Sequence, residues 1–151
     1  DYYITDMAEF GGHVYLSAYA VPKQQDEGGR HEIAAILDYI CSKEGGGWDI
    51  SAEELTPIVR DNYTAMLLIC DSEGGVPKTF YSVKGSLGGD LSVNTSGQLE
   101  WNVESITTTF FSPATSSFSI GGNCAVFCYT FGAEGNLMGQ TDTGSSVPYR
   151  R

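Results

Sequence analysis

From Thr64 onward the apolar residues recur at every second position, and the period holds as far as Phe131. A period of two puts alternate side chains on opposite faces of an extended chain, so this stretch favours strands over helices. The expected strands are 64–70, 79–84, 90–93, 98–103, 106–111, 117–120 and 124–131. Leu91 and Val93 precede Asn94-Thr95-Ser96-Gly97, and Leu99, Trp101 and Val103 follow it. That is a hairpin with a glycine-containing loop. In the last strand Cys124, Val126 and Cys128 share one face, while Ala125, Phe127, Tyr129 and Phe131 share the other. A strand apolar on both faces suits the centre of a sheet, covered twice.

Before Thr64 the pattern is mixed. Residues 13–21 are rich in aromatic and β-branched side chains and close on Pro22, which reads as the first strand. After a polar loop, Ile33, Ile36, Leu37, Ile40 and Cys41 fall at helical spacing, and Gly45-Gly46-Gly47 stops the run. Ser51-Ala52-Glu53-Glu54 then forms a capping box, with Ile50 and Leu55 placed as a hydrophobic staple. Pro57 is expected to end this turn, with a second short helix restarting on Thr56 as cap. The fold expected is α+β: a predominantly antiparallel sheet or sandwich with two short helices inserted after the first strand. One β-rich domain spans 1–132. The Gly/Ser/Thr-rich segment 133–151 reads as a C-terminal arm or tail.

At 151 residues the chain fits one domain. A domain of that length buries roughly 70% of its unfolded surface and needs no metal or disulfide to fold. Its 19 glycines point to many tight turns. Eight Lys and Arg against 19 Asp and Glu give a net charge of −11, and the cations are scattered. Nucleic acids and anionic membrane surfaces need clustered cations, so both are disfavoured partners. The longest apolar run, Ala65-Met66-Leu67-Leu68-Ile69-Cys70, is far below the ~20 residues of a spanning helix, so no membrane insertion is expected.

Several features suit an extracellular or virion-associated chain. The chain begins at Asp1, as after leader cleavage or inside a longer precursor, and it ends on the dibasic pair Arg150-Arg151. Asn62-Tyr63-Thr64 and Asn94-Thr95-Ser96 are glycosylation sequons in expected turns. Four cysteines, Cys41, Cys70, Cys124 and Cys128, are the disulfide candidates. On an extended segment Cys124 and Cys128 lie roughly 13 Å apart, too far to bond to each other, so any bridges would link Cys41 and Cys70 to the late pair. A reduced core is the equal alternative, since free cysteine is a common core residue.

Catalytic patterns are weak. Cys70-Asp71-Ser72-Glu73-Gly74 has the outline of a nucleophile elbow, but cysteine replaces its first glycine and a strand follows where a helix is required. Only His13 and His31 could act as base. The C-x3-C pair with an adjacent His31-Glu32 does not match zinc-ligand spacing, and neither phosphate-loop nor calcium-loop spacing occurs. No cofactor, metal or catalytic residue is therefore expected. Aromatic residues make up 12% of the chain. Most fit a core, while Trp48, Trp101 and Tyr149 are candidates for a sugar-stacking or subunit-docking surface. The function expected is a non-enzymatic structural or assembly subunit of the virion, tail or extracellular-filament type, contacting copies of itself or other protein subunits through strand edges and aromatic residues. The alternative is a small secreted, proteolytically processed binding protein or toxin-like effector, with carbohydrate as a further candidate ligand.

Overall fold

A computed structural model describes residues 2–20, 50–71, 75–113 and 118–150. Among these residues the elements are two antiparallel four-stranded meanders and one short helix. The first sheet runs β1 (Tyr2–Phe10), β2 (His13–Ala20), β3 (Thr64–Asp71), β4 (Lys78–Lys84). The second runs β5 (Ser86–Val93), β6 (Leu99–Pro113), β7 (Phe118–Phe131), β8 (Leu137–Arg150). Helix α1 (Ala52–Arg60) lies in sequence between β2 and β3. Each strand is hydrogen-bonded to its sequence neighbour within its sheet, so strands consecutive in sequence lie side by side in both meanders.

The two sheets face each other because each is apolar on the face it turns inward. Tyr15 of β2, Ala65 and Leu67 of β3, Leu91 of β5, Leu99, Trp101 and Val103 of β6, and Tyr129 and Phe131 of β7 form one buried cluster. Aromatic edges fill the gap between the sheets: Tyr81 meets Trp101 at 6.5 Å between ring centroids, and Phe80 meets Phe131 at 5.4 Å. Such edge-to-face pairs set the ring quadrupoles favourably. The one polar group of the indole is also satisfied, since Trp101 Nε1 donates to Ser17 Oγ at 2.8 Å across the sheets. A buried donor left without a partner there would cost about 1–3 kcal/mol.

Gly85 alone joins the two sheets. Its φ of 72° is a left-handed conformation that glycine adopts freely. Its N–H donates to Tyr63 O at 2.9 Å, and its carbonyl accepts from Ile106 N at 3.2 Å, so the corner is tied to the residue before β3 and to β6. A second apolar cluster forms beside it. Leu55 and Val59 of α1 and Tyr63 pack with Ile106 of β6 and Cys124 of β7, and Thr56 Oγ1 bonds Thr109 Oγ1 at 2.9 Å beneath the helix. On the outer face of the first sheet Leu16, Ala18 and Leu68 make a third buried cluster.

The antiparallel, β-rich character matches the expectation from the period of two. The helices differ. Of the two expected, the 31–43 helix lies outside the described residues, and α1 does not stop at Pro57. It runs through Pro57 to Arg60, and Ser51 is its cap: Ser51 Oγ accepts from Glu54 N at 3.2 Å and donates to the Glu54 carboxylate at 3.1 Å. Pro57 forfeits the bond to the Glu53 carbonyl, a cost of about 3 kcal/mol in a helix interior. Burial of Leu55, Thr56 and Val59 against the second sheet offsets it.

Strand boundaries differ as well. A strand, β1, precedes the one expected to be first, and the turn between them is Gly11-Gly12, both with positive φ. The stretches 98–103 and 106–111 are one strand, β6, bulged between Ile106 and Thr108. The stretches 117–120 and 124–131 are likewise one strand, β7, continuous through Gly121-Gly122. Residues 137–150, inside the segment expected as an arm, form β8 and pair along β7.

Candidate functional site

Among the described residues, strand β1 carries four exposed large apolar side chains, Tyr2, Tyr3, Ile4 and Met7. It sits at the edge of the first sheet, and its register places Tyr2 opposite Ala20, Ile4 opposite Ala18 and Met7 opposite Leu16. Opposed residues share a face. Tyr2, Ile4 and Met7 therefore extend the outer-face apolar cluster to the sheet edge, where they remain 48%, 54% and 65% exposed. Tyr3 points to the other face and packs on Tyr19 at 5.3 Å between centroids.

A bulge between Ile4 and Asp6 interrupts the strand. Beyond it the edge turns onto β5: Thr5 Oγ1 lies 3.0 Å from Gly89 O, and the Asp6 carboxylate accepts from Leu91 N at 2.9 Å. Bulges and such side-chain caps protect an edge against indiscriminate pairing. Exposed apolar side chains stand on both sides of the bulge, Tyr2 and Ile4 before it and Met7 after it.

The other two free edges are blunted differently. Strand β4 begins and ends on exposed lysines, Lys78 and Lys84. In β8 the register slips opposite Val126, where Gly144 N donates to Asp142 Oδ1 at 2.9 Å and Thr143 Oγ1 to Val126 O at 2.8 Å. Pro148 removes one more donor from that strand.

The residues singled out from the sequence scatter across the molecule. Trp101 is wholly buried, so it presents no docking surface; its indole belongs to the core. Trp48 and Cys41 lie outside the described residues, as do His31 and the Ser72-Glu73-Gly74 part of the elbow-like stretch. Tyr149 falls in β8, paired opposite Gly122. His13 begins β2, opposite Phe10 across the Gly11-Gly12 turn.

The described cysteines, Cys70, Cys124 and Cys128, are free thiols and form no bridge. Cys70 stands with the cluster on the outer face of the first sheet, so that sheet separates it from the two cysteines of the second. Burial, with Glu104 nearby, pushes the Cys124 thiol up to about 11, and burial also raises Cys128. Thiols held protonated in this way are poor nucleophiles and poor metal ligands. Among the described residues no three or more His, Cys, Asp or Glu side chains gather as a metal-binding group.

Both sequon asparagines are built into turns. Asn62 Nδ2 donates to Ile58 O at 2.9 Å at the end of α1. Asn94 Oδ1 accepts from Ser96 N at 2.9 Å and from Gln98 N at 3.0 Å, which closes the β5–β6 hairpin. Sequence reading passed over Tyr2, Ile4 and Met7. Their signal was the Gly11-Gly12 pair between two β-forming runs, a strong hairpin pattern.

No protein-family model, curated protein or solved structure matches the chain. No helix among the described residues is long and apolar enough to cross a membrane.

Proposed function

We propose that this chain is a non-enzymatic assembly subunit of an extracellular or virion type, and that the exposed outer face of β1 is its contact surface. The exposed stripe Tyr2, Ile4 and Met7 carries this reading. Three large apolar side chains on one face of an edge strand, continuous with a buried cluster, gain by being covered. An edge strand left open before its bulge adds backbone pairing to that apolar contact. Tyr2 and Tyr3 supply large contact area at low entropic cost. The lysines of β4 and the irregular β8 turn those edges away from pairing, so contact concentrates on β1.

Light scattering and negative-stain microscopy of the purified chain test this. The expected result is discrete oligomers or polymers that dissociate in Ile4→Lys and Met7→Lys variants whose circular dichroism is unchanged. A wild-type chain that stays monomeric at high concentration, or variants that assemble as it does, would overturn the reading.

A further inference from the structure

Of the eight cations in the chain, four fall among the described residues: Arg60, Lys78, Lys84 and Arg150. Two of them line one cleft. Arg60 ends α1, Lys84 ends β4, and between them Pro57, Asp61, Tyr63, Thr64 and Gly85 complete a depression of about 460 Å³. That falls within the roughly 300–1,000 Å³ typical of small-molecule sites.

The cleft is built on fixed backbone. Asp61 N donates to Pro57 O at 3.0 Å and Tyr63 N to Arg60 O at 3.1 Å, so the helix end cannot swing away from the strand that follows. Gly85 is locked by its bonds to Tyr63 and Ile106. The Arg60 side chain crosses this glycine, its Cβ and Nε 3.6 Å from where a Cβ on Gly85 would stand.

The charge arrangement needs explaining. Acids outnumber bases 19 to 8, yet neither Arg60 nor Lys84 has an ion-pair partner among the described residues. The α1 dipole favours a cation in its last turn and accounts for Arg60 alone. It does not account for Lys84, which ends the edge strand β4 and, besides blunting that edge, lines this cleft. Two cations and one carboxylate leave the cleft net positive on a molecule of net charge −11.

We propose that this cleft binds the oxyanion of a small hydroxylated molecule, a sugar phosphate or a sugar acid. Arg60 and Lys84 hold the oxyanion, the Thr64 hydroxyl donates a further bond, and the Asp61 carboxylate accepts from a ligand hydroxyl. An arginine fork suits either a phosphate or a carboxylate. The site is independent of the β1 contact surface, so either proposal can fail without the other.

Amide-resonance titration of the whole chain with glucose 6-phosphate, glucuronate and glucose tests it. Saturable shifts confined to residues 57–64 and 84–86 are expected with at least one of the two acids, and none with glucose. The acid that binds tells phosphate from carboxylate. Arg60→Gln and Lys84→Gln each weaken binding by about tenfold or more, the loss of one charge-assisted contact. Lys78→Gln, on the same strand but outside the cleft, leaves it unchanged. Absence of a saturable shift with both acids, equal binding of glucose, or indifference to Arg60→Gln and Lys84→Gln overturns the proposal.

Discussion

Ser51 and Glu54 do one job between them: the Ser51 hydroxyl accepts from Glu54 N, a donor that the helix itself leaves open, and the Glu54 carboxylate holds that hydroxyl in place. Ser51→Ala is expected to cost about 1 kcal/mol, read as a lower urea midpoint, and to leave assembly unchanged, because the cap lies away from β1. Glu104 is the opposite case, a carboxylate that works against the fold. Half-burial on β6, with Asp90 nearby, raises its pKa above the ordinary 4.5. The unfolded chain therefore releases this proton at lower pH than the folded one does, and stability falls as pH rises out of the ordinary carboxylate range. Glu104→Gln is expected to raise the urea midpoint at pH 7, and the advantage should vanish below pH 4, where both states hold the proton. A variant less stable than the wild type at pH 7 would show that Glu104 makes a favourable contact outweighing its burial.

At the scale of elements, the long strand β7 depends on a close approach that only glycine permits. A Cβ on Gly122 would overlap the Thr108 carbonyl oxygen on β6, and that atom belongs to backbone. Gly122→Ala is expected to cost about 2–4 kcal/mol, since the strand pair must part to admit it. Gly139→Ala on β8, where a Cβ would meet nothing within 4 Å, serves as the control and should be close to neutral in the same urea titration. This pair of glycines also explains what could be read from the sequence. Gly121-Gly122 has the composition of a turn, so the local pattern predicts two strands where there is one; the backbone contact that keeps it straight is non-local. Pro57 misled in the same way, because the burial that lets α1 pass through it comes from Ile106 and Cys124, far along the chain. Where local pattern and packing agree, as at Ser51 or along 64–70, the sequence reading and the structure coincide. The exposed stripe on β1 was legible only through the Gly11-Gly12 turn, since an apolar residue on a strand does not itself say whether it faces a core or water.

On the scale of the whole molecule, the two sheets are not covered equally. Strands β6, β7 and β8 have 15, 14 and 14 residues, whereas those of the first sheet have seven to nine. The second sheet therefore overhangs the first, and α1 covers part of the excess through Leu55 and Val59. Strand β8 lies at its far edge with nearly all described side chains exposed; Val147 alone packs, half-buried, against the cluster under α1. Its contribution is then mostly backbone pairing, which hides the edge of β7. That strand carries Cys124, Val126 and Cys128 on one face and Phe127, Tyr129 and Phe131 on the other, so without β8 it would become a long apolar edge, the template on which chains aggregate. A chain ending at residue 132 tests this. Among the described residues its core clusters lose only Val147, so it is expected to fold with a modest loss of stability. It is also expected to scatter light strongly and to enlarge irregularly with concentration, unlike the discrete assemblies expected of the full chain. A truncated chain that matches the full chain in size distribution and thermal midpoint would mean that β8 shields nothing, and that the irregularities of Thr143, Gly144 and Pro148 serve some purpose other than protecting an edge.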